Sequence, residues 1–228
     1  MNYLAIDSCS PVLSVALSCN ENNFYSINED GMKHCELVMD FVDSLMKKAA
    51  LKPNDLNGIF CMKGPGSFTG LRIGYSIAKA LSLSLSIPFA PVPSLDCIAW
   101  KEHESDKTTL AVIQARKNAY FYAFFRGASR LTSDADADAN QIAEEVKHYN
   151  EEIILTGPGS ELLYNSLQQE KSENILLKNE NSGYAKEIIA VAKAIKILDN
   201  DTEGFLYSGP EYIRKTDAEI SLEAGKLK

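Results

Sequence analysis

The chain has 228 residues, of which 45% are hydrophobic and 24% charged, a composition typical of a soluble globular protein. Its 31 acidic and 23 basic residues give a net charge of −8, which argues against direct binding of a phosphate backbone, because such binding needs clustered Lys and Arg. No apolar run reaches the roughly 18 residues of a membrane span, and no basic signal-peptide segment opens the chain, so we expect a cytoplasmic protein. The five cysteines lack Cys-x-x-Cys spacing, which indicates reduced thiols.

The first hundred residues alternate short strands with helices. Strands are predicted where β-branched and apolar residues run between turn residues, at 3–7, 13–19, 23–28, 58–62 and 89–92. The first three have the spacing of an antiparallel meander. Helices are predicted where apolar residues recur every three or four positions, at 33–50, 70–86 and 94–100.

A charged segment at 101–107 without apolar periodicity marks a lobe boundary, so we divide the chain into lobes of residues 1–103 and 104–228. Further strands are predicted at 108–115, 118–125, 152–156 and 175–177. Helices are predicted shortly before 152, at 160–169 and at 184–198. The alternating acids and alanines of 134–139 are predicted to form a solvated loop. Nothing in the sequence assigns a role to the final segment, 217–228.

The tetrapeptide Gly-Pro-Gly-Ser occurs twice, at 64–67 and 157–160, each time between a strand and a helix. The order of strands and helices is also similar in the two halves. This predicts an α/β protein with two related lobes, as in ribonuclease H-like folds, although chance convergence of one tetrapeptide stays open at this point.

The turn from Gly64 to Gly70 is the sharpest local feature. Three glycines and a proline permit a tight turn and the close approach of another backbone. The spacing is neither that of a P-loop nor that of the dinucleotide fingerprint. A purely structural turn and a contact with phosphate at the start of the next helix both remain open.

The helix that follows is apolar most of the way round. Gly70, Gly74 and Ala78 recur every four residues and leave one side bare, which permits another helix to approach closely. Ile73 and Ala80 lie on a different side. Either the bare side packs on the lobe's own sheet, or one side covers the sheet and the other meets a partner.

Catalytic machinery is not recognisable in the sequence. The three histidines, at 34, 103 and 148, lie far apart and form no zinc motif, so no metal site and no catalytic residue are predicted. An actin-like ATPase would hold magnesium through acids at the first strand of each lobe. Asp7 fits the first of these places, whereas Gln114 stands in the second.

Several segments resemble the TsaB (YeaZ-like) proteins, well over residues 1–100 and loosely beyond. In chain order they are LAIDS at 4–8, SVAL at 14–17, HCE at 34–36, GPGSFTGLRIG at 64–74, AKAL at 78–81, IP at 87–88 and YIR at 212–214. The chain departs from the family at Gln114-Ala115-Arg116, where many relatives have Asp-Ala-Arg.

The resemblance implies a two-lobed ribonuclease H-like/actin-like ATPase (ASKHA) fold, with a helix-covered mixed sheet in each lobe. It implies a non-catalytic subunit for the threonylcarbamoylation of adenosine 37 of tRNA. The expected partners are the catalytic paralogue TsaD, the ATPase TsaE, tRNA through the complex, and a second copy when the chain is alone. The histidine pair of TsaD aligns with Ser94 and Ile98, so no metal is expected here.

Pairing with TsaD is expected through the two helices of the first lobe. The interface residues implied are Val38, Val42, Leu45, Met46, Gly70, Gly74, Ala78 and Leu81. No cofactor is expected in this chain alone, whereas ATP or ADP is allowed at the subunit junction. The residues then nearest the nucleotide are Asp7, Gly64, Gly66, Ser67 and Thr69.

Other functions compete with this interpretation. An ATPase or kinase would use Asp7 and the Gly64–Gly70 turn, and its ATP turnover would be lost in Asp7→Ala. A metallopeptidase, the activity that an older label of the family implies, would need the missing histidines. A self-associating scaffold would bury the same helices between two copies.

Overall fold

The computed structural model of the protein describes residues 1–20, 22–30, 33–169, 174–178, 182–199 and 202–213. Predictions for Arg214 and for 217–228 fall outside these ranges. The strands are β1 (Asn2–Asp7), β2 (Leu13–Cys19), β3 (Asn22–Asn28), β4 (Gly58–Gly64), β5 (Phe89–Pro93), β6 (Thr108–Arg116), β7 (Ala119–Arg126), β8 (Ser129–Arg130), β9 (Ala135–Asp138), β10 (Ile153–Thr156) and β11 (Ile175–Lys178). The helices are α1 (His34–Lys48), α2 (Phe68–Leu85), α3 (Ser94–Ala99), α4 (Ala139–Val146), α5 (Ser160–Gln169), α6 (Ala185–Ala194) and α7 (Glu203–Tyr207). In these ranges every helix is too short or too polar to cross a bilayer.

The first sheet has the strand order β3-β2-β1-β4-β5. Strands β1, β2 and β3 form the predicted antiparallel meander, and β4 and β5 continue the sheet in parallel. Parallel strands need a crossover connection, which α2 supplies between β4 and β5. The run Leu4–Asp7 is fully buried, because β1 is the central strand and is covered on both faces.

The second sheet repeats this topology. Its order, read in the matching direction, is β8-β7-β6-β10-β11, with antiparallel pairs first and parallel pairs after β6. The two Gly-Pro-Gly-Ser turns follow β4 and β10, which occupy equivalent places. The repeated tetrapeptide therefore belongs to a repeated lobe, as the strand order in the sequence suggested.

The helices and sheets stack in five layers. Helices α1 and α2 cover the outer face of the first sheet, where Leu4 and Ile6 belong to the same apolar cluster as Val38 and Leu45. Helices α3 and α6 lie between the sheets, in a core shared by both lobes. Helices α4 and α5 cover the outer face of the second sheet. The layer of α3 and α6 therefore belongs to the apolar core of both lobes, which are packed together through it.

Helix α6 crosses between the predicted lobes. The division at 103/104 separates the two sheets, yet α6 comes from the second half and lies against β1, β2 and β4 of the first sheet. The segment 203–213 also returns to the first lobe, where Phe205 and Leu206 join its core. A division by sequence position alone therefore misplaces both segments.

The predicted loop at 134–139 is wrong over most of its length. Residues Ala135–Asp138 form β9, which pairs antiparallel with β7. Acid and alanine alternate with the period of a strand, so Ala135 and Ala137 face the core with Ala139 just beyond, while the acids point outward. Strand β9 lies beside β7 in the sheet, where Ala137 and Ala135 are paired with Tyr120 and Tyr122.

Candidate functional site

A cleft of about 1270 Å³ lies between the lobes, where the turns after β4 and β10 face each other. The first turn contributes Pro65, Gly66 and Ser67, and the second contributes Pro158 and Gly159. The starts of α1 and α2, the end of β6, the β1–β2 turn and residues 211–213 also contribute to the wall. The repeated tetrapeptide therefore builds both sides of one cavity.

The first turn packs directly on the β1–β2 turn. The N–H of Ser67 donates to the carbonyl oxygen of Cys9 at 3.2 Å, and the Ser67 hydroxyl accepts the N–H of Gly70 at 3.3 Å as the cap of α2. A Cβ on Gly70 would overlap the carbonyl oxygen of Ser8, and one on Gly66 would lie 2.9 Å from the sulfur of Cys9. Glycine is required at 70 because the backbone of the β1–β2 turn occupies the space of a side chain, and at 66 the side chain of Cys9 leaves little room for one.

The second turn is anchored on the end of β6. Gly157 and Gly159 have φ values of +112° and +98°, a region that L side chains rarely adopt. The N–H of Gln114 donates to the carbonyl oxygen of Pro158 at 2.7 Å, beside a register shift between Gln114 and Arg116. Gln114, which stands where an ATPase would have an acid, thus anchors this turn through its backbone N–H.

The cleft favours anions although the whole chain is acidic. Lys33, Arg72 and Arg116 line it, against two acids, Glu36 and Glu211, the second of which pairs with a lysine outside the lining. The starts of α1 and α2, which carry the positive ends of the helix dipoles, open onto the same space. A phosphate-bearing ligand would meet complementary charge here.

The five residues expected near a nucleotide separate into two groups. Gly66, Ser67 and Thr69 line the cleft. Asp7 and Gly64 are buried and are not part of the lining, Gly64 because the backbone of Glu211 occupies the place where its side chain would be.

Asp7 is fully buried and its carboxylate oxygens are already occupied. One oxygen accepts the N–H of Cys9 at 3.2 Å and of Ser10 at 3.1 Å, and the other accepts the N–H of Tyr184 at 3.1 Å. Burial raises the pKa of Asp7 above its ordinary value, although these hydrogen bonds oppose the shift. The carboxylate ties the β1–β2 turn to the start of α6, and it does not face the cleft where a metal-bound nucleotide would lie.

The three buried thiols are poorly suited to a reactive centre. Burial raises the pKa of the Cys9, Cys61 and Cys97 thiols, so these cysteines stay protonated and poorly nucleophilic near neutral pH. His34 lines the cleft with its Nδ1 3.2 Å from the carbonyl oxygen of Ser8. Within the described ranges, no three His, Cys, Asp or Glu side chains come together as a metal site.

The structure corrects the expected partner interface. Its members Val38, Val42, Leu45, Met46, Gly70, Gly74 and Ala78 are all buried, and Leu81 is half-buried against the same core. The bare side of α2 faces inward, since a Cβ on Gly74 would lie 2.9 Å from the hydroxyl of Ser8. These residues therefore hold the helices on their own sheet and do not form a surface.

The opposite side of α2 is a surface almost without charge. Its outer face, as we call it here, consists of Thr69, Ile73, Ser76, Ile77, Ala80, Leu83 and Ser84. Leu83 is 65% exposed, and Arg72 is the charged residue at the exposed positions of this helix. Helix α1 differs, because Asp40, Asp43 and Lys47 are exposed on it.

Sequence reasoning missed two long-range contacts at the site. The hydroxyl of Ser14 accepts the N–H groups of Tyr184 and Ala185 at 3.1 and 3.0 Å, and so satisfies the start of α6. The segment 203–213 lies against β4 and the start of α2. Only the motif at 212–214 signalled the second contact. Nothing local signalled the first, because its partners are 170 residues apart in sequence.

The sequence of the chain is similar to those of known proteins. The family described as "TsaD: tRNA N6-adenosine threonylcarbamoyltransferase" matches residues 28–222. The chain is 27% identical over 226 residues to the tRNA threonylcarbamoyladenosine biosynthesis protein TsaB of Bacillus subtilis, covering 96% of each protein. It is 31% identical over 196 residues to TsaB of Buchnera aphidicola subsp. Schizaphis graminum, covering 82% of this chain and 90% of that protein.

Among solved structures, YeaZ from Pseudomonas aeruginosa is similar with a TM-score of 0.79 at 19% identity, covering 93% of this chain and 99% of that one. At this identity the likeness concerns the fold. Together with the repeated sheet topology, it confirms the predicted two-lobed ribonuclease H-like/actin-like fold.

Proposed function

Because the chain belongs to the TsaD family of tRNA threonylcarbamoyladenosine biosynthesis proteins, as one of its TsaB (YeaZ-like) members, we propose that it is the non-catalytic subunit that pairs with TsaD. The observation that carries the pairing is the outer face of α2. It presents exposed and half-buried apolar residues without charge, in a chain that is 24% charged. Covering such a face with a partner removes apolar surface from water and so favours association.

The residues in the place of the catalytic histidines support a non-catalytic role. Ser94 and Ile98, which the family resemblance places at the histidine pair of TsaD, are buried in α3 between the two sheets. The Ser94 hydroxyl accepts the N–H of Gly64 at 3.1 Å, so its place is structural. The alternative ATPase or kinase gains nothing from Asp7, whose oxygens are already used by three backbone N–H groups.

The proposal places the other components around this pairing. The acidic chain reaches tRNA through the complex, since a net charge of −8 opposes direct contact with its backbone. TsaE engages the assembled complex, in the cytoplasm. A nucleotide at the subunit junction would meet the positive cleft at Gly66, Ser67 and Thr69. Without TsaD, a second copy of the chain covers the outer face of α2.

The test is an omission assay with matched surface variants. TsaD, TsaE, tRNA, ATP and threonylcarbamoyl-adenylate are incubated with the wild-type chain, with Ala80→Glu, or without the chain, and modified adenosine is counted by mass spectrometry. Ala80 lies on the outer face of α2, so a charge there must be desolvated when the partner covers it. The control, Asn165→Glu, adds the same charge to an exposed position of α5 on the second lobe.

We expect product with wild type and Asn165→Glu, and little product with Ala80→Glu or without the chain. Size-exclusion chromatography should show the complex with TsaD in the first two cases only. Product at an unchanged level without the chain would refute the proposed role. Full complex formation by Ala80→Glu would leave the role standing but refute the outer face of α2 as the contact.

A further inference from the structure

The segment 203–213, called the strap here, runs from α7 along the first lobe to the mouth of the cleft. Phe205 and Leu206 pack into the core of that lobe, and the carbonyl oxygen of Ser208 accepts a hydrogen bond from Lys79 of α2. The strap then passes over the end of β4. Its last residues, Glu211, Tyr212 and Ile213, line the cleft. The strap thus connects the core, α2 and the cleft.

Over β4, the strap is fitted to the glycine turn. The N–H of Glu211 donates to the carbonyl oxygen of Lys63 at 2.8 Å, and the two side chains form an ion pair at 2.6 Å. Gly64 has a φ of +118°, and a Cβ on it would overlap the carbonyl oxygen of Glu211. The first glycine of the repeated tetrapeptide is therefore needed because the strap lies directly on it.

Beside the turn, Tyr212 holds the start of α2. Its ring stacks on Phe68, the first residue of the helix, with centroids 4.4 Å apart and an interplanar angle of 26°. Arg72, one turn later, lies 4.1 Å from the centroid of the Phe68 ring and donates from its Nε to the Tyr212 hydroxyl at 3.3 Å. The three side chains form one stack across the first turn of α2.

This stack lies at the surface and not in the core. Tyr212 is 40% exposed, Arg72 is exposed and Phe68 is half-buried. Its loss therefore leaves the sheets and their covering helices in place. What it changes is the freedom of the start of α2, where Thr69 of the first turn and Ile73 just after it belong to the outer face.

We propose that the strap is a positioning element: Tyr212 holds the first turn of α2 in the conformation that the partner binds. The second half of this inference rests on the proposed function, since it needs TsaD as the occupant of the outer face. The first half does not, because the order of α2 can be measured on the isolated chain.

The first experiment is amide hydrogen exchange on the isolated chain, for wild type, Tyr212→Ala, Tyr212→Phe and Tyr207→Ala. In Tyr212→Ala the amides of residues 71–73 should exchange about tenfold faster, the factor expected when one aromatic pair of this geometry is lost. Tyr212→Phe keeps the ring and should stay near wild type. Tyr207, 91% exposed in the same strap, is the control and should change nothing.

The second experiment measures the affinity of the same variants for TsaD by titration. Tyr212→Ala should bind about tenfold more weakly, with Tyr212→Phe restoring most of the affinity. If Tyr212→Ala does not fold, Tyr212→Leu, which keeps apolar bulk without a ring, replaces it in both measurements.

The outcomes separate the strap from the proposed function. Unchanged exchange at 71–73 in Tyr212→Ala overturns the positioning role, whatever TsaD does. Faster exchange with unchanged affinity overturns the link to the partner. If the wild-type chain itself does not bind TsaD, the proposed function fails, and with it the link, while faster exchange would still support the strap as the element that orders α2.

Discussion

Removing the Asp7 carboxylate should destabilise the fold, because the carboxylate has a structural role and not a catalytic one. In Asp7→Ala, the buried N–H groups of Cys9 and Ser10 lose their acceptor, whereas the N–H of Tyr184 keeps the hydroxyl of Ser14. A buried N–H without an acceptor costs about 1–3 kcal/mol. Relief from burying a charge offsets part of this sum, so we expect a net loss of about 2–4 kcal/mol in the free energy of unfolding.

The assay is urea unfolding followed by circular dichroism. With a slope near 2 kcal/mol per molar urea, the midpoint should fall by about 1–2 M. The control is Asp43→Ala, which removes an exposed carboxylate paired with Lys47 and should cost about 0.3–0.5 kcal/mol. An Asp7→Ala midpoint equal to that of Asp43→Ala would refute the structural role, and ATP turnover that depends on Asp7 would restore the ATPase hypothesis.

The pH dependence of stability gives the same carboxylate a second signature. Burial raises the pKa of Asp7 above 3.8, so the folded chain binds this proton more tightly than the unfolded chain does. The contribution of Asp7 to stability is therefore greatest below pH 3.8 and declines as the pH rises through the raised value. Relative to Asp7→Asn, the wild type should gain stability between pH 7 and pH 4. A difference that stays constant over this range would contradict the raised pKa.

Three further substitutions test the packing around the site. Ser14→Ala removes the acceptor of the buried N–H of Ala185 at the start of α6, whereas the N–H of Tyr184 keeps the carboxylate of Asp7, so it should cost about 1–3 kcal/mol of unfolding free energy in the same urea assay; no change would contradict the role of Ser14 as a cap. Gly70→Ala should cost at least about 1–3 kcal/mol because its Cβ overlaps a backbone oxygen, whereas Gly209→Ala, with nothing within 4 Å of the added Cβ, should be neutral; equal midpoints would refute the close approach. Ala78→Glu places a charge at a fully buried site and should prevent folding, as judged by circular dichroism and solubility. Ala80→Glu places the same charge at an exposed site and should fold normally. A folded Ala78→Glu variant would show that the inner side of α2 is misassigned.

Most of the local structure could be predicted because it depends on short-range patterns. The meander, the strand into the glycine turn and the long helices follow from periods of two and 3.6 residues. The failure at 134–139 shows the limit of composition, since the acids suggested solvent while their alternation with alanine had the period of a strand. Strand β9 forms because β7 offers it an edge to pair with.

The candidate site was predictable only in part. The turn at Gly66, Ser67 and Thr69 lines the cleft as a glycine-rich turn before a helix suggests. The direction of the small stripe on α2 was not predictable, because a helix that is apolar on most sides does not show which side meets the sheet. The close approach of Ser8 to Gly70, where an added Cβ would overlap the Ser8 carbonyl oxygen, shows that the small stripe faces the sheet. The opposite side of α2 is therefore the outer face.

By itself, the sequence determined the α/β class of the fold, the glycine turn and the lack of a recognisable catalytic set, because each depends on residue types and spacings that the sequence shows directly; the two related halves it only suggested. Only the tertiary structure decided that Asp7 ties the β1–β2 turn to α6, that α6 crosses to the first sheet and that the strap lies on Gly64 and Phe68. The contacts of Asp7 with Tyr184, of Gly64 with Glu211 and of Phe68 with Tyr212 join residues more than 140 positions apart, where local periodicity carries no information. They form when folding brings the segments together. The buried carboxylate of Asp7 then needs N–H donors, the absence of a side chain at Gly64 lets the strap approach, and the ring of Tyr212 removes apolar surface from water by stacking on Phe68.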